Sequence, residues 1–495
     1  AIYDRDRHRI EMHLDSLNDQ IVSIPHIGDI PLAEGESIRT ELSFKYDRSA
    51  INALFRRAGL CLDDWITNGD GLFALAVGGV ASNRLTSLDR GLLRASVEKL
   101  FAAENGQTPS MTIGAELELI PFDATTHRPV PVREDGRGET GSLGVIRRIA
   151  RRAGWTELSA GGDPPSWSVP DGARVSFEPG GQIELSSAPS KSASGLIRDL
   201  QCTAQLLTGA FASAGVALEA VGVDPYSDIA EVPLQLHRPR YERMTRYFES
   251  IGPSGLRMMR QTASLQINIE AGAEPHERWI LLNALAPYVT AIFANSPSYG
   301  GKPTGHRSYR AHLWRTLDPT RTGLPVNTVD PAGAYLDFAL SAGAMMRDDA
   351  CAYDSFEAWM RLGDASLDDW ELHLSTLFPE VRPRHYFELR SADAISPEFL
   401  AAPIALIAGL VYDDASARSA SGMLAQVEAP SLEVAGRDGL ANAQIREMSL
   451  RLTDLALTGC ESLGNRYISA ADVNAAAQFF DRYTRQGHSP GDDWS

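Results

Sequence analysis

Four short segments carry acidic or amide side chains at every second position. In Gly114-Ala115-Glu116-Leu117-Glu118-Leu119 the carboxylates alternate with apolar residues, and Gln182, Glu184 and Ser186 alternate with Ile183 and Leu185. The pattern recurs in Gln266, Asn268 and Glu270 against Leu265, Ile267 and Ile269, and in Glu388 and Arg390 against Phe387 and Leu389. A period of two is that of a strand, so each segment turns its polar residues to one face of a sheet. One such strand reads as a half-buried sheet with a solvated outer face. Four of them call for more, because solvated faces usually carry Thr, Lys, Arg and Ser, and like charges on neighbouring strands repel. Glu, Gln and Asn are hard oxygen ligands. A divalent cation would offset their charge, and an oxygen-only set favours magnesium over zinc. The eleven histidines show no H-E-x-x-H spacing, which agrees with that choice.

Two glycine-containing segments are candidate anion sites beside this face. Phe177-Glu178-Pro179-Gly180-Gly181-Gln182 joins two expected strands by a turn whose glycines let backbone approach a ligand closely. Tyr299–Arg310 is a basic, glycine-rich loop, but Pro303 follows Lys302 where a Walker A loop would place Ser or Thr, so it is not that loop. An acidic, magnesium-binding sheet with arginines and glycine loops around it points to phosphoryl transfer from ATP.

The elements that must position these residues alternate strand and helix. Clean two-residue periodicity predicts strands at Thr112–Ile120, Arg174–Phe177, Gln182–Ser186, Ala263–Glu270 and His385–Ser391. Helical patterns cover Ser87–Ala103, Gly141–Ala153, Ser194–Ala214, Arg238–Ser250, Pro275–Asn295 and Pro397–Ala417. A last helix pair is expected from Asn442 to about Gln486, followed by a frayed polar tail, Ser489–Ser495. Before all this, strands at Arg9–Leu14, Gln20–Ile24 and Ser37–Tyr46 precede a helix over Arg48–Ala58. A hairpin of Cys61–Thr67 and Leu72–Val77 turns at Asn68-Gly69-Asp70-Gly71, and Gly78–Thr86 reads as a linker. The predicted division is a small amino-terminal α+β unit over residues 1–80 and a larger one over 87–495.

Composition excludes several classes. With 46 basic and 64 acidic residues in 495, the net charge of −18 argues against nucleic acid and polybasic membrane surfaces as partners. No apolar run approaches the roughly 18–20 residues of a membrane span. The four cysteines, Cys61, Cys202, Cys351 and Cys460, lie far apart without a C-x-x-C pair, which fits a reducing, cytoplasmic setting and argues against a disulfide framework. The chain opens on Ala1 with residues that already read as the interior of a folded unit, so a fragment or processed product is expected.

Residues 87–487 resemble the glutamate–cysteine ligases of the plant and alphaproteobacterial type. The resemblance rests on Gly114–Glu118, Phe177–Ser186 and Met258–Asn268, then on Phe293–Pro297, Ser308-Tyr309-Arg310 with Trp314, Asp318 and Arg321-Thr322-Gly323, and Tyr386–Arg390, all in the family's order. It implies an α+β fold with a glutamine synthetase-like antiparallel sheet, surrounded by helices and curved around ATP, magnesium and glutamate. It implies the reaction too: ATP phosphorylates the side-chain carboxylate of glutamate, and the amine of cysteine displaces phosphate. Glu116, Glu118, Glu184 and Glu388 would then hold magnesium, Glu178 and Gln266 would position metal or substrate, and Arg310 and Arg390 would bind carboxylate or phosphate. Two alternatives stand beside this reading: a ligase of glutamate to another amine, and an inactive ligase scaffold.

The first eighty residues resemble the carboxyl-terminal part of the histidine Nα-methyltransferases of the ergothioneine pathway. Arg9–Leu14, Glu34-Gly35-Glu36, Thr40–Tyr46, Ala58-Gly59-Leu60 and Trp65 carry the resemblance. It implies a histidine pocket lined by Met12, Glu41 and Ser43, where carboxylate and hydroxyl hold an imidazole. The methyl-donor segment of that family is not in this sequence, so this piece by itself is not expected to methylate. The pairing is chemically coherent, since γ-glutamylcysteine donates sulfur to trimethylhistidine in one ergothioneine route.

Overall fold

The computed structural model describes residues 2–4, 9–24, 28–46, 51, 54–55, 58, 60–68, 73–80, 88–102, 111–133, 141–158, 164–325, 328–347, 354–363 and 365–494. The chain separates into two units, Ala1–Ser87 and Leu88–Ser495.

The first unit is built from antiparallel strands: β1 (Ile2–Asp4), β2 (Arg9–Asp15), β3 (Gln20–Ile24), β4 (Gly28–Leu32), β5 (Ser37–Phe44), β6 (Leu60–Thr67) and β7 (Ala74–Val80). β1, β2 and β5 form one sheet, while β3 pairs β4 and β6 pairs β7. β7 runs three residues into the expected linker, because Leu60 and Val80 are still in register. The helix expected over Arg48–Ala58, the turn residues 69–71 and the linker beyond Val80 lie largely outside the described residues. Met12 stands opposite Glu41, and Ile10 opposite Ser43. Met12, Glu41 and Ser43 therefore share one face of the β2–β5 ladder. That face is open, with Met12 44% exposed.

The second unit is organised by nine antiparallel strands: β8 (Ile113–Asp123), β9 (Thr156–Leu158), β10 (Ser166–Ser168), β11 (Arg174–Phe177), β12 (Ile183–Ser186), β13 (Val216–Glu219), β14 (Ser264–Glu270), β15 (Val381–Pro383) and β16 (Tyr386–Asp393). Their order is β15-β16-β14-β8-β12-β11-β10-β9, with β13 pairing the distal half of β8. The five strands predicted from periodicity are thus β8, β11, β12, β14 and β16, side by side. The framing helices are α1 (Arg90–Phe101), α2 (Gly141–Ala153), α3 (Ala193–Ala212), α4 (Pro239–Ile251), α5 (Pro253–Gln261), α6 (Pro275–Ile292), α7 (Tyr309–Thr316), α8 (Ala401–Tyr412), α9 (Asp414–Leu424), α10 (Leu432–Asp438), α11 (Ala443–Leu463) and α12 (Ala470–Arg482).

Alternation decides which side of the sheet is dry. Leu117, Leu119, Ile183, Leu185, Leu265, Ile267, Phe387 and Leu389 are buried in one core with Leu196 and Leu200 of α3, Leu282 and Leu285 of α6, and all of α8. Each such side chain contributes roughly 1.5–3 kcal/mol by leaving water, so the register of the sheet is strongly specified. A second apolar cluster, including Met244, Met258, Met259, Trp314 and Phe378, lies over the opposite, polar face. Among the described residues no single helix is long and apolar enough to cross a membrane.

Two expectations fail for identifiable reasons. The single helix over Pro397–Ala417 is a 3₁₀ turn (Pro397–Phe399) followed by α8 and α9, broken where the Asp413 side chain accepts the Ser416 N–H at 2.8 Å. An Asp in that role starts a new helix. The tail is not frayed: Pro490–Trp494 forms a 3₁₀ turn, Gly491 donates to the Ala294 carbonyl at 2.9 Å, and Trp494 Nε1 donates to Asn295 Oδ1 at 3.1 Å. Asp492 pairs with Arg307.

Candidate active site

The central strand β8 places Glu116 and Glu118 on the polar face. Glu116 stands between Ser186 of β12 and Gln266 of β14, and Glu118 stands opposite Glu184. Glu184 is in turn opposite Ser176 and accepts hydrogen bonds from Ser176 Oγ (3.2 Å) and Ser186 Oγ (2.9 Å). Glu178 joins from the turn after β11. That turn closes with Gly181 donating to the Glu178 carbonyl at 2.8 Å, and Gly181 takes φ of +94°. Gly180 is required by the protein's own packing. A Cβ on Gly180 would lie 2.0 Å from the Arg260 carbonyl oxygen, so the close approach is to α5. Gln182 completes this tie, donating to the Thr262 carbonyl at 2.8 Å.

Four carboxylates thus share one half-buried patch, and among the described residues none forms an ion pair. Burial pushes Glu116 up to about 7, with Glu184 and Glu388 adding to the rise. Glu178 is driven well above the usual carboxylate range, first by burial and then by Glu184, Glu118 and Glu116. Burial also raises Glu184, with the Glu118 charge next, and raises Glu118 against the pull of Arg310 and Arg390. Glu118 is fixed by the Ser264 N–H at 2.7 Å and by Gln266 Nε2 at 3.3 Å. The nearby Arg310, Arg382 and Arg390 offset these raised carboxyls only in part.

The neighbouring strands carry the opposite sign. Arg390 Nη1 donates to Gln266 Oε1 at 2.6 Å and also to Glu388. Arg382 grips Glu388 with both fork nitrogens, at 3.0 and 2.8 Å, across the β15–β16 pair. Although burial opposes it, Arg382, Arg390 and Arg384 hold Glu388 down to about 2. Glu388 was expected to hold magnesium with the other glutamates; here its oxygens are taken by guanidinium groups. Arg310, on α7, donates Nη2 to the Arg390 carbonyl at 2.9 Å and stacks on Trp314 at 4.7 Å. Its Nη1 lies 3.8 Å from Asp393, which also accepts from Asn295 N, Ser296 Oγ and Ser308 Oγ.

Both polarities line one cavity of about 410 Å³. Glu116, Glu118, Glu178, Glu184, Gln266, Arg310 and Arg390 line it, while Glu388 is seated behind Arg382 and Arg390. The sequence reading missed Arg382, Arg384 and Arg240, which also line it. From the glycine-rich loop only Arg310 reaches the cavity; Lys302 is exposed on a two-residue hairpin. Asp318 and Arg321 form a fully buried pair at 2.8 Å that ties α7 to the Thr376 and Gly343 carbonyls, a supporting role.

The residues present fit a divalent cation at one end and an anion at the other. The four carboxylates offer oxygen ligands with charge to neutralise. Among the described residues, Arg310 Nε and Arg390 Nε are buried donors without a partner, which an incoming phosphate or carboxylate oxygen would satisfy. Met12, Glu41 and Ser43 belong to the other unit and form no part of this cavity.

Comparison with known proteins agrees with this division. Residues 112–492 match glutamate–cysteine ligase family 2. Glutamate–cysteine ligase EgtA of Mycolicibacterium smegmatis is 33% identical over 369 residues, covering 70% of this chain and 82% of that protein. Chloroplastic glutamate–cysteine ligase A of Oryza sativa subsp. indica is 30% identical over 386 residues, 72% of this chain and 76% of its own. The solved glutamate–cysteine ligase of Francisella tularensis in complex with AMP aligns with TM-score 0.48 at 12% identity, over 78% of this chain and 84% of that one. Residues 1–78 match the SAM-dependent histidine-specific methyltransferase family. In this chain that match is amino-terminal, and "carboxyl-terminal" does not describe its place here.

Proposed function

This chain belongs to glutamate–cysteine ligase family 2, and from that membership we propose how its cavity joins glutamate to cysteine at the expense of ATP. The γ-carboxylate of glutamate attacks the terminal phosphorus of ATP, releasing ADP and forming γ-glutamyl phosphate. The cysteine amine then displaces phosphate, giving γ-glutamylcysteine. The single observation that carries this reading is the juxtaposition of four clustered carboxylates, none in an ion pair among the described residues, with two guanidinium groups whose buried Nε donors lack partners among them.

In this proposal Glu116, Glu118, Glu178 and Glu184 would hold magnesium, which would supply positive charge against the phosphate oxygens. Glu388 joins that set only by exchanging an arginine for a cation. Arg390 and Arg310 receive the carboxylate and phosphoryl oxygens with their forks, in a dry site where such donors act strongly. Gln266 links the two ends: it donates to Glu118 and accepts from Arg390, so it sets the spacing between cation and anion. Trp314 and the methionines of α4 and α5 exclude water from the acyl phosphate.

The histidine methyltransferase-like unit on the same chain favours delivery of the product to ergothioneine synthesis, with glutathione synthesis the other use. There Met12, Glu41 and Ser43 would face an imidazole, and the open face of that ladder suggests weak binding of histidine; calorimetry with histidine checks it. The reaction fits a cytoplasm that keeps cysteine as a thiol and supplies ATP. The test is ADP release by the full chain with glutamate, magnesium and each of several amines, with mass spectrometry of the product. ADP release with simple amines in preference to cysteine would move the amine specificity, and none with any amine would favour an inactive scaffold.

A further inference from the structure

His306 and His312 converge on Glu433 outside the cavity described above. His306 Nε2 lies 3.6 Å and His312 Nδ1 lies 3.4 Å from Glu433 Oε1, and the three donor atoms are all within 4.8 Å of one another. His306 is oriented from behind: its Nδ1 stands 3.3 Å from the Thr304 carbonyl oxygen. A carbonyl only accepts, so Nδ1 carries a proton and Nε2 is the ring nitrogen turned toward Glu433. Among the described residues that buried Nε2 makes no hydrogen bond, and its 3.6 Å approach to Glu433 Oε1 is longer than one. The neutral ring offers a lone pair there, so with His312 Nδ1 it converges on the carboxylate as a ligand set for a cation.

The backbone around the three donors is rigid. The Gly436 carbonyl on α10 accepts from Arg307 N at 2.9 Å and Ser308 N at 2.8 Å, and a Cβ on Gly436 would lie 2.8 Å from Ala311 on α7. The Tyr309 ring stacks on the His312 ring, 17° from parallel. His312 is two residues from Arg310, about 200° around the helix, so it faces away from the cavity that Arg310 enters.

We propose that His306 Nε2, His312 Nδ1 and Glu433 Oε1 bind one divalent transition-metal ion of the zinc class, with the fourth position open to water. The separations of 3.4 and 3.6 Å are close to the edge of a tetrahedron, about 3.3 Å for bonds of about 2.0–2.1 Å. Two imidazoles and a carboxylate select zinc, cobalt, nickel or copper over magnesium, so the site is chemically separate from the all-oxygen cavity. Binding there fastens the 304–306 loop, α7 and α10 together, and α7 carries Arg310.

The test uses the full chain with Cys202→Ser, stripped with a chelator and kept in excess magnesium to fill the hard oxygen sites. Cobalt(II) is titrated in and read by its visible absorption, and zinc is then added to displace it. One tight equivalent with the intense bands of a four- or five-coordinate ion is expected, bleached by zinc. His306→Ala and Glu433→Gln should each weaken that equivalent at least about tenfold, with unchanged circular dichroism. Glu433 is 43% exposed, so its substitution leaves the core intact. Only the weak spectrum of a six-coordinate ion in the parent protein, or a tight equivalent that survives both substitutions, would overturn the assignment.

Discussion

Glu118 and Glu184 stand directly opposite one another on adjacent antiparallel strands, on the same face, and among the described residues neither has an ion-pair partner. Like charges so placed destabilise a sheet. A cation bound between them, as proposed above, would account for such a pair on strands whose other face is fully apolar.

Glu184→Gln tests that explanation, because it keeps shape and hydrogen-bonding reach while removing one charge. The variant should fold normally, need more magnesium and lose on the order of 10²-fold in turnover. The measurement is turnover against magnesium concentration for both proteins, with circular dichroism as the control. Superimposable curves would take Glu184 out of the site.

Glu116 makes stability depend on pH in a defined direction. Its carboxyl is raised from an ordinary 4.5 to about 7, so between those values the folded state holds a proton that the unfolded chain has released. In the metal-free protein this group therefore contributes less stability as pH rises through that window. His373, which burial lowers from 6.5 to about 3, has the opposite slope over most of the same range, so the readout is the difference between the parent and Glu116→Gln, in which His373 cancels. Relative to Glu116→Gln, the parent's thermal midpoint in chelator should fall from about pH 4.5 to about 7, and magnesium should reduce that fall. A difference that is flat or rises across this range contradicts the assignment.

Arg390→Lys retains the charge but loses the planar fork, whose Nη1 bridges Gln266 and Glu388 and whose buried Nε is the donor proposed for a substrate oxygen. A fall in kcat/KM on the order of 10²-fold is expected, with ATP and glutamate each varied in steady-state kinetics. Constants within about twofold of the parent would show that the fork is not used.

The carboxyl-terminal turn should matter for stability. Deletion from Ser489 onward removes the Gly491–Ala294 and Trp494–Asn295 hydrogen bonds and the Asp492–Arg307 pair. The expected loss is about 1–3 kcal/mol by urea denaturation. An unchanged midpoint would mean that these contacts are not formed in solution.

Residues 1–87 should be dispensable for ligation, since every residue of the cavity lies in the unit Leu88–Ser495. A chain beginning at Leu88 is expected to keep ADP release within about twofold. A folded but inactive truncation would show that the two units depend on each other.

The carboxylate face was legible because period two in Gly114–Leu119 and Ile183–Ser186 survives folding without interruption. Asp393 was not legible. Simple alternation from Glu388 and Arg390 puts Ala392 on the polar face, but an irregularity opposite Gln266 shifts the register, so that Ala392 pairs Leu265 and Asp393 pairs Ser264. Arg382 was missed because its role depends on the tight return from β15 to β16, which places it opposite Glu388. The tail misled because Ser489, Asp492 and Asp493 read as solvent-seeking, whereas Ser489 and Asp492 hydrogen-bond one another.

The order of strands in the sheet has a consequence for synthesis. β8 leaves the ribosome first, β9 to β12 follow and join it through β12, β14 is added later on its other side, and β15 and β16 come last. The acidic strands are therefore complete well before the segment that supplies Arg382 and Arg390. A nascent chain halted ahead of that segment carries the mutual repulsion of Glu116, Glu118 and Glu184 with Arg240 and Arg310 but without Arg382 and Arg390, so it depends more heavily on free cellular magnesium as counter-charge.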